Sequence, residues 1–329
     1  MKTILNDSKD PTFNLALEEY VLKELDSDED FILLWQNAKS VIIGRNQNTY
    51  EEINHELVKE HDVQVVRRIT GGGAVYHDLG NLNFSFITKS LKDNLNNYRK
   101  FTDPVIKVLN DLGVPAEFQG RNDIVVDGKK ISGNAQAWHK NKMLHHGTIL
   151  FDADLSFISN VLNVKQDKFQ SKGIKSNRAR VTNIKPFLSV NIDINVFKLK
   201  LLHALLKTED ISSLSYQLSE VELNKIKSLK IRKYQDWQWN YGESPNSQIV
   251  REKRFSGGNL QLHFNLENGS IKNLKIFGDF LDTGDIQLIS TKLDSTPYDK
   301  EICKEKLLML EFHRIFDNIS LDEFMTCLF

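Results

Sequence analysis

The sequence predicts a large domain that mixes helices and strands, followed by a small α+β domain. Two observations lead to this prediction. Amphipathic helical patterns and short apolar strand patterns alternate through most of the 329-residue chain. The composition then shifts within the turn-rich stretch 237–247, after which three strand patterns precede the helical ones. We therefore expect a linker at about 243–250, with domains over residues 1–245 and 246–329.

The elements of the large domain follow from local patterns. The first helix is predicted over residues 11–25, where apolar side chains recur at helical spacing and Thr12 is a suitable N-cap. Further helices are predicted over 51–61, 102–112, 154–162 and 196–207. Strands are predicted over 31–35, 40–43, 63–67, 74–77, 82–88, 116–119, 124–126, 130–139 and 143–151. Asp127-Gly128 predicts a two-residue hairpin turn between two of these strands.

The small domain begins with a predicted three-stranded meander. Turn signals at Gly257-Gly258 and Asn268-Gly269 separate strand patterns over 251–255, 260–265 and 271–277. Helical patterns then follow over 282–293, 300–308 and 321–328.

Composition places the chain among ordinary globular proteins. Hydrophobic residues make up 40% and charged residues 26%, and the net charge of −1 gives no reason to expect nucleic-acid binding. No stretch of about 18 residues is apolar throughout, and the N-terminus lacks the apolar segment of a signal peptide. The two cysteines, Cys303 and Cys327, fit a reducing compartment. We therefore expect a cytoplasmic protein that does not cross a membrane, with a monomer as the default state.

Several common catalytic motifs are absent. The chain has no GxxxxGK[ST] phosphate loop, no GxGxxG dinucleotide motif and no GxSxG nucleophile turn. His145 and His146 are adjacent on a predicted strand, so they should point to opposite faces rather than share a zinc ion. The first 302 residues contain no cysteine, which excludes thiol catalysis in the large domain.

A run of three glycines, Gly71 to Gly73, follows the adjacent arginines Arg67 and Arg68. Glycine costs roughly 0.5–1 kcal/mol relative to alanine in regular structure, so such a run is typical of backbone that approaches a ligand closely. The neighbouring arginines predict that this ligand is an anion.

Three further segments are candidates for the same anion site. They are a turn at 120–123 (GRND), a strand at 129–135 (KKISGNA) and a strand start at 146–148 (HGT). Each segment by itself is weak evidence for a site. For example, a lysine on a strand usually faces solvent. Residues 165–186 are basic and poorly periodic, which is typical either of a solvated loop or of a mobile cationic loop that closes over an anion.

Taken in this order, the segments resemble lipoate–protein ligases of the LplA type. The resemblance is carried by the following stretches: FNLALEEY, IIGRNQN, RRITGGGAVYHDLGN, GRNDIVV, KISGNA, HHGTILFDADL and KGIKSNRARVTN. It covers residues 11 to about 185, WQWNYG extends it, and the C-terminal part resembles the accessory domain of two-domain ligases. Thr70 stands where the family usually has serine, which keeps the hydroxyl.

The resemblance implies a fold and a reaction. The fold is that of the biotin–lipoate ligases, with mixed, mainly antiparallel sheets flanked by helices, plus a small α+β C-terminal domain. The reaction uses ATP, with Mg²⁺, to convert lipoate to lipoyl-AMP and pyrophosphate. The lipoyl group then passes to a lysine of an apo lipoyl domain of a 2-oxoacid dehydrogenase E2 subunit or of glycine-cleavage H protein.

The resemblance also assigns Lys130 as the catalytic residue, because it matches the essential lysine of the KxSG motif. A carboxylate and an α-phosphate must meet in the first step, and a compact cation between them offsets their repulsion. We favour Lys130 over Lys129, which should point to the opposite face of the strand.

The remaining site residues are expected from the same resemblance. The nucleotide or adenylate is expected to contact Arg68, Gly73, Ala74, Val75, Tyr76, Asn122, Asp123, Lys130, Gly147 and Thr148. Lipoate is expected to contact Arg67, Thr70, Gly71, Gly72, His77, Lys130, Ser132 and Gly133. A mobile loop expected to cover the adenylate includes Lys172, Gly173, Ser176, Arg178 and Arg180. Asp123 is also the candidate magnesium ligand.

Other functions stay open at this point. An octanoyl or lipoyl transferase of the same superfamily would need a cysteine nucleophile, and both cysteines lie outside the motifs. A biotin ligase usually carries a GRGRxGR-like motif, and a non-catalytic lipoate-binding paralogue would be expected to have lost Lys130 or the glycines. The sequence names neither the preferred acceptor nor a general base, and it does not distinguish lipoate from octanoate.

Overall fold

The computed structural model describes residues 1–89, 96–162, 181–241, 249–267 and 270–329. By its internal contacts the chain divides into two compact units. The first unit comprises Met1–Ile42, Ile53–Val66 and Val75–Asp236, and the second comprises Ile43–Glu52, Arg67–Ala74 and Trp237–Phe329. The domain boundary expected at 245/246 lies outside the described residues and stays a prediction.

The strands lie in three sheets. Their bounds are β1 Lys2–Thr3, β2 Phe31–Trp35, β3 Ser40–Ile43, β4 Gln64–Arg67, β5 Val75–His77, β6 Asn81–Lys89, β7 Ala116–Gln119, β8 Asp123–Val126, β9 Lys129–His139, β10 Lys142–Leu150, β11 Ile249–Phe255, β12 Gly258–Glu267 and β13 Ser270–Gly278. The main sheet has the order β1-β2-β6-β10-β9-β8-β7, and the two small sheets have the orders β4-β3-β5 and β11-β12-β13. Within the main sheet β1 and β2 are parallel and the remaining neighbours are antiparallel. The predicted mixed, mainly antiparallel α/β fold is confirmed.

The helices flank these sheets. Their bounds are α1 Pro11–Lys23, α2 Thr49–Glu52, α3 His55–Glu60, α4 Arg99–Asp111, α5 Leu155–Val161, α6 Ile194–Leu206, α7 Glu220–Leu229, α8 Trp237–Asn240, α9 Gln287–Leu293, α10 Lys300–Leu308 and α11 Leu321–Leu328. In the part of the chain that the structure describes, no helix is both long and apolar enough to cross a membrane.

The start of α1 corrects one prediction. Asp10, not Thr12, is the N-cap, and its carboxylate accepts hydrogen bonds from the Thr12 N–H (2.9 Å) and hydroxyl (2.6 Å). Pro11 explains the shift, because its fixed φ and missing N–H suit the first helical position, so the cap falls on Asp10, two residues before Thr12.

Two predicted helices are shorter or divided. The expected 51–61 helix is split into α2 and α3, because Asn54 caps α3 through the Leu57 N–H (3.3 Å) and Ile53 forms a bridge with Leu162. In the expected 282–293 helix, α9 starts at Gln287, and Asp282 instead forms a bridge with Phe316.

The first unit buries an apolar core between one face of the main sheet and two helices. Phe84 and Phe86 of β6 pack in one cluster with Phe101 of α4 and Phe197 of α6. Helix α1 packs against α7 and the π-helical turn Lys230–Tyr234, neither of which the sequence patterns predicted. In the π-helical turn, Lys233 and the Tyr234 hydroxyl both donate to the Glu19 carboxylate of α1, at 2.8 and 2.6 Å.

Strands β8 and β9 form a hairpin with an irregular register. Asp127 and Gly128 both have positive φ (50° and 71°), which confirms the predicted two-residue turn. Ile124 pairs with Ser132, but Val125 pairs with Lys130, so Ile131 is an extra residue in β9. Such a bulge re-aims the side chains beside it.

The second unit contains the predicted meander, β11 to β13, covered by α9, α10 and α11. Its core is apolar and includes Phe264, Phe280 and Phe324. Cys303 and Cys327 are free thiols buried in that core. Burial raises the pKa of Cys327 to about 11, so this thiol is not a nucleophile at neutral pH.

Candidate functional site

Lys130 pairs with a carboxylate on the neighbouring strand. Its Nζ lies 2.8 Å from Asp123 Oδ1, and the two side chains are 39% and 35% exposed. Lys129 is exposed, whereas Lys130 is half-buried. Because both side chains are partly exposed, the pair lies at the surface of the unit rather than in the core.

Gly133 makes room for the end of this lysine. A Cβ at position 133 would lie 2.9 Å from Lys130 Nζ and 3.0 Å from Lys130 Cε. The Gly133 N–H donates to Thr148 Oγ1 at 3.3 Å, which links β9 to β10. The bulge at Ile131 places Lys130 over Gly133, so the predicted site residues Asp123, Lys130 and Gly133 lie together.

Asn122, Ser132 and Gly147 surround Asn134. The Asn134 Nδ2 donates to the Asn122 carbonyl at 2.9 Å and to Ser132 Oγ at 3.3 Å. A Cβ at position 147 would lie 2.2 Å from Asn134 Oδ1 and 2.4 Å from the Phe84 ring. Packing alone therefore requires glycine at 147, and the ligand roles of these residues stay predictions.

His145 and His146 point to opposite faces of β10, as predicted. His145 is fully buried and stacks on Phe101, with ring centroids 4.8 Å apart. Burial lowers the pKa of His145 well below its ordinary value, so its ring is neutral. His146 instead places Nδ1 2.9 Å from the buried carboxylate of Glu18.

The sequence patterns missed the polar cluster around Glu18. Its carboxylate is 1% exposed and accepts a hydrogen bond from Ser85 Oγ (2.7 Å), which in turn accepts one from Trp35 Nε1 (2.8 Å). Glu19 is also buried and accepts from the Tyr234 hydroxyl at 2.6 Å. The available signal was the Glu18-Glu19 pair inside an otherwise apolar helical stretch, since carboxylates are seldom buried without partners.

Val75, Tyr76 and His77 lie on β5 of the first unit. The Tyr76 ring packs on Phe157 with centroids 5.1 Å apart. Burial, with Asp78 nearby, raises the pKa of Tyr76, so its hydroxyl stays protonated at neutral pH. His77 is buried, and its Nδ1 lies 3.0 Å from Asn37 Nδ2.

In the second unit, Arg68 is enclosed by the glycine loop that follows it. Its Nε donates to Thr70 Oγ1 (2.9 Å), and its Nη2 donates to the carbonyls of Gly71 (2.6 Å) and Gly73 (2.9 Å). Gly72 has a φ of +89°, which favours glycine. The loop can close around the guanidinium because Gly72 adopts this positive φ.

The glycine loop also packs closely against Phe280 and Asp282. The Gly72 N–H donates to the Phe280 carbonyl at 3.0 Å, and a Cβ at Gly71 would lie 2.7 Å from both that carbonyl and Asp282 Oδ1. Burial raises the pKa of Asp282, while the Arg45 guanidinium 3.1 Å away opposes that shift. These close contacts therefore explain why glycine is needed at position 71, and the expected approach of the loop to a ligand stays a prediction.

Arg67 is 2% exposed, and its guanidinium donates to several neutral oxygens of the second unit. It donates to the carbonyls of Gln47 (2.6 Å) and Trp239 (2.9 Å) and to Thr49 Oγ1 (2.7 Å). These contacts connect three separate segments of the second unit. Arg67 therefore stabilises the second unit, and its expected contact with lipoate stays a prediction.

The predicted residues thus fall into groups. The first unit brings together Asn122, which precedes β8, with Asp123, Lys130, Ser132, Gly133, Gly147 and Thr148 on β8 to β10, and it carries Val75, Tyr76 and His77 on β5. The second unit contains Arg67, Arg68, Thr70, Gly71, Gly72, Gly73 and Ala74. The expected adenylate loop with Lys172, Gly173, Ser176, Arg178 and Arg180 lies outside the described residues. Among the residues that are described, no three metal-ligating side chains cluster, and the expected role of Asp123 as a magnesium ligand stays a prediction.

Two families match this chain in succession. The lipoyl protein ligase A/B catalytic domain matches residues 10–206, and the bacterial lipoate protein ligase C-terminus matches residues 244–328. The chain belongs to the lipoate–protein ligase family. The prediction of a two-domain ligase, rather than a biotin ligase, is confirmed.

Two relatives in this family align with nearly the whole of this chain. Lipoate-protein ligase LplJ of Bacillus subtilis is 45% identical over 97% of this chain and 97% of its own length. Lipoate–protein ligase 1 of Staphylococcus aureus is 44% identical over 98% of both chains.

Solved structures of similar ligases include bound substrates. LipL1 of P. falciparum in complex with lipoate is 31% identical, with a TM-score of 0.80 over 99% of this chain and 98% of its own. A lipoate-protein ligase A bound with ATP is 29% identical, with a TM-score of 0.63 over 73% of this chain and 98% of its own. A bi-partite ligase from Thermoplasma acidophilum, studied with its E2 lipoyl domain, is 30% identical, with a TM-score of 0.64 over 76% and 98%.

Proposed function

We propose that this ligase activates lipoate with ATP to lipoyl-AMP and then lipoylates a lysine of an acceptor protein. The observation that carries the proposal is the position of Lys130, whose side chain is partly exposed and whose Nζ lies close to Gly133 and next to Asp123. Solved ligases with bound lipoate and with bound ATP support both substrates. Octanoate is the alternative acyl substrate, since it is also a short acyl carboxylate.

Lys130 serves the first step. The lipoate carboxylate attacks the α-phosphorus of ATP, an O–P bond forms, and pyrophosphate leaves. The lysine ammonium stabilises the negative charge that develops on the phosphoryl oxygens. A partly exposed ion pair contributes only about 0–1 kcal/mol, so Lys130 can exchange Asp123 for substrate oxygens at little cost.

Asp123 is the residue proposed to hold magnesium. Mg²⁺ is commonly bound by one or two carboxylates together with substrate phosphates and water, which suits a single aspartate. The ion supplies charge neutralisation on the triphosphate. With Lys130 directed to the substrates, the Asp123 carboxylate would be free of its ion pair and would be able to hold the metal.

The second step is aminolysis of the adenylate. The acceptor lysine nitrogen attacks the acyl carbon, a C–N bond forms, the bond to phosphate oxygen breaks, and AMP leaves. The amine proton passes to phosphate or water, and we assign no protein base. The proposed acceptors are apo lipoyl domains of E2 subunits and glycine-cleavage H protein, and the lipoyl domain studied with the T. acidophilum ligase supports the first of these.

The remaining assignments follow the family resemblance. Arg68, Gly73, Ala74, Val75, Tyr76, Asn122, Gly147 and Thr148 are proposed to bind the adenylate. Arg67, Thr70, Gly71, Gly72, His77, Ser132 and Gly133 are proposed to bind lipoate. Residues 172–180 are proposed to cover the adenylate and exclude water. We further propose a cytoplasmic monomer.

The decisive experiment measures lipoate-dependent pyrophosphate release from ATP, followed by addition of an apo lipoyl domain and mass spectrometry. Release followed by a lipoyl mass increase on the acceptor is the expected result. Release without transfer would support the adenylate step and contradict that acceptor. Lipoate binding without release would favour a non-catalytic paralogue or an acyl transferase that does not use ATP.

A further inference from the structure

A chain of amide side chains in the first unit ends on His77. Asn6 Nδ2 donates to Asn14 Oδ1 (2.7 Å), Asn14 Nδ2 donates to Asn37 Oδ1 (2.9 Å), and Asn37 Nδ2 contacts His77 Nδ1 at 3.0 Å. Asn14, Asn37 and His77 are 2%, 0% and 3% exposed. A buried polar chain of this kind holds each member in one orientation.

Backbone groups determine the direction of this chain at two points. The Ser8 N–H donates to Asn6 Oδ1 (3.0 Å), so the nitrogen of that amide must face Asn14. Asn14 Nδ2 also donates to the carbonyls of Ser8 (3.0 Å) and Gln36 (2.9 Å), and a carbonyl only accepts. Asn37 must therefore turn its oxygen to Asn14 and its NH₂ group to the histidine.

This direction decides the protonation of His77. Because Nδ1 receives a hydrogen bond from the Asn37 NH₂ group, Nδ1 must carry a lone pair, and the ring proton must be on Nε2. Protonation of Nδ1 would set two donors against each other. We propose that Asn37 is a positioning residue that holds His77 as the neutral Nε2–H tautomer, so that lipoate meets an uncharged hydrogen-bond donor here. This inference rests on the proposed contact between His77 and lipoate.

A neutral ring suits the substrate at this position. The Trp35 ring lies edge-on to His77, with centroids 6.3 Å apart, so the imidazole has an aromatic neighbour. The lipoyl chain is largely apolar, and burying an imidazolium against it would cost more than burying a neutral imidazole. The amide chain prevents the charged form without placing a carboxylate beside the substrate.

Two other histidines of the first unit provide internal references. His145 Nδ1 accepts from Gln136 Nε2 (3.0 Å) and its Nε2 donates to Asn134 Oδ1 (3.2 Å), which gives the same tautomer as His77. His146 Nδ1 donates to the Glu18 carboxylate, which gives a protonated Nδ1. The three rings therefore predict two distinct spectroscopic patterns in one protein.

Nitrogen-15 NMR of the full chain with labelled histidine tests the tautomer directly. The expected spectrum gives His77 a pyridine-type Nδ1 and a pyrrole-type Nε2, as for His145 and opposite to His146 at Nδ1. Comparison with a His77→Gln variant assigns the signals. A protonated Nδ1 on His77 in the wild-type protein would overturn the proposal, whether or not any Asn37 variant folds.

Asn37→Asp tests the link to substrate. The carboxylate still accepts from Asn14, but it now accepts from His77 as well, so the proton moves to Nδ1. Lipoate affinity, measured by calorimetry without ATP, should weaken about tenfold, equivalent to about 1.4 kcal/mol. Asn37→Ala removes the donor without burying a charge and should leave His77 in mixed tautomers with a smaller loss of affinity.

Gln136→Glu is the matched control, because it makes the same buried amide-to-acid change beside His145. It should move the His145 signals and leave those of His77 in place. Unchanged lipoate affinity in an Asn37→Asp protein whose His77 signals have changed would overturn the positioning role. A wild-type protein that binds lipoate but releases no pyrophosphate would contradict the activation step alone, and the affinity test would still apply.

Discussion

Two regions of this ligase combine glycines with cationic side chains, and the structure uses them in opposite ways. In the first unit, Gly133 leaves room for Lys130, whose charged end is partly exposed and pairs with Asp123. In the second unit, Arg67 and Arg68 are buried, and their guanidinium groups donate to neutral oxygens. Similar sequence patterns can thus keep a cation available for chemistry or bind it into the fold.

The largest expected effect is the loss of catalysis in Lys130→Ala. Pyrophosphate release should fall by at least about 10³-fold, equivalent to about 4 kcal/mol of transition-state stabilisation. The free energy of unfolding should change by less than about 1 kcal/mol, because the lost ion pair is partly exposed. Lys129→Ala is the matched control and should keep its activity. Near-normal release in the Lys130 variant would remove the main contrast between the two regions.

Arg67→Ala should instead act on stability. The substitution leaves the buried Gln47 carbonyl and the partly buried Trp239 carbonyl without their Arg67 donor, which should cost about 3 kcal/mol in a urea unfolding experiment. The control is Arg254→Ala, whose half-exposed ion pair with Asp279 should contribute less than about 1 kcal/mol. A stable Arg67 variant that has lost lipoate binding would instead support direct contact with the ligand.

The two glycines of the first unit should respond differently to alanine. Gly147→Ala should cost about 2–3 kcal/mol of unfolding free energy, because its Cβ would overlap the Phe84 ring and Asn134. Gly133→Ala meets only the flexible end of Lys130, so it should change stability little and reduce pyrophosphate release by displacing the lysine. Equal stability losses in both variants would contradict the view that Gly133 serves the lysine.

Asp123→Asn, like Lys130→Ala, should change the free energy of unfolding by less than about 1 kcal/mol, because it removes the same partly exposed ion pair. Its effect should lie in the metal dependence, since a neutral amide is a weaker magnesium ligand than a carboxylate. The magnesium concentration for half-maximal pyrophosphate release should rise severalfold. An unchanged magnesium profile would limit Asp123 to its ion pair with Lys130.

Features that depend on neighbouring residues could be predicted from the sequence. The Asp127-Gly128 turn was predictable because both residues tolerate the positive φ that such a hairpin requires. The C-terminal meander was predictable for the same kind of reason. The cap of α1 was missed because two capping residues, Asp10 and Thr12, flank Pro11, and the proline decides between them.

The buried polar contacts could not be predicted in this way. Glu18 and His146 are 128 residues apart along the chain, and Arg67 and Asn240 are 173 apart. Periodicity indicates that a residue lies in a helix or strand, but it does not indicate which polar group will be buried beside it. The amide chain to His77 likewise joins the start of the chain to β5, and no motif indicated it.

By itself, the sequence determined the order of most helices and strands, the position of the hairpins and the family, because turn chemistry, hydrophobic period and motif order are local properties. The tertiary structure alone decided which cation stays available and which is buried, which glycine makes room for a side chain, and which tautomer His77 adopts. These outcomes depend on hydrogen-bond partners and close contacts that come together only when distant segments pack, and burial then makes each partner obligatory.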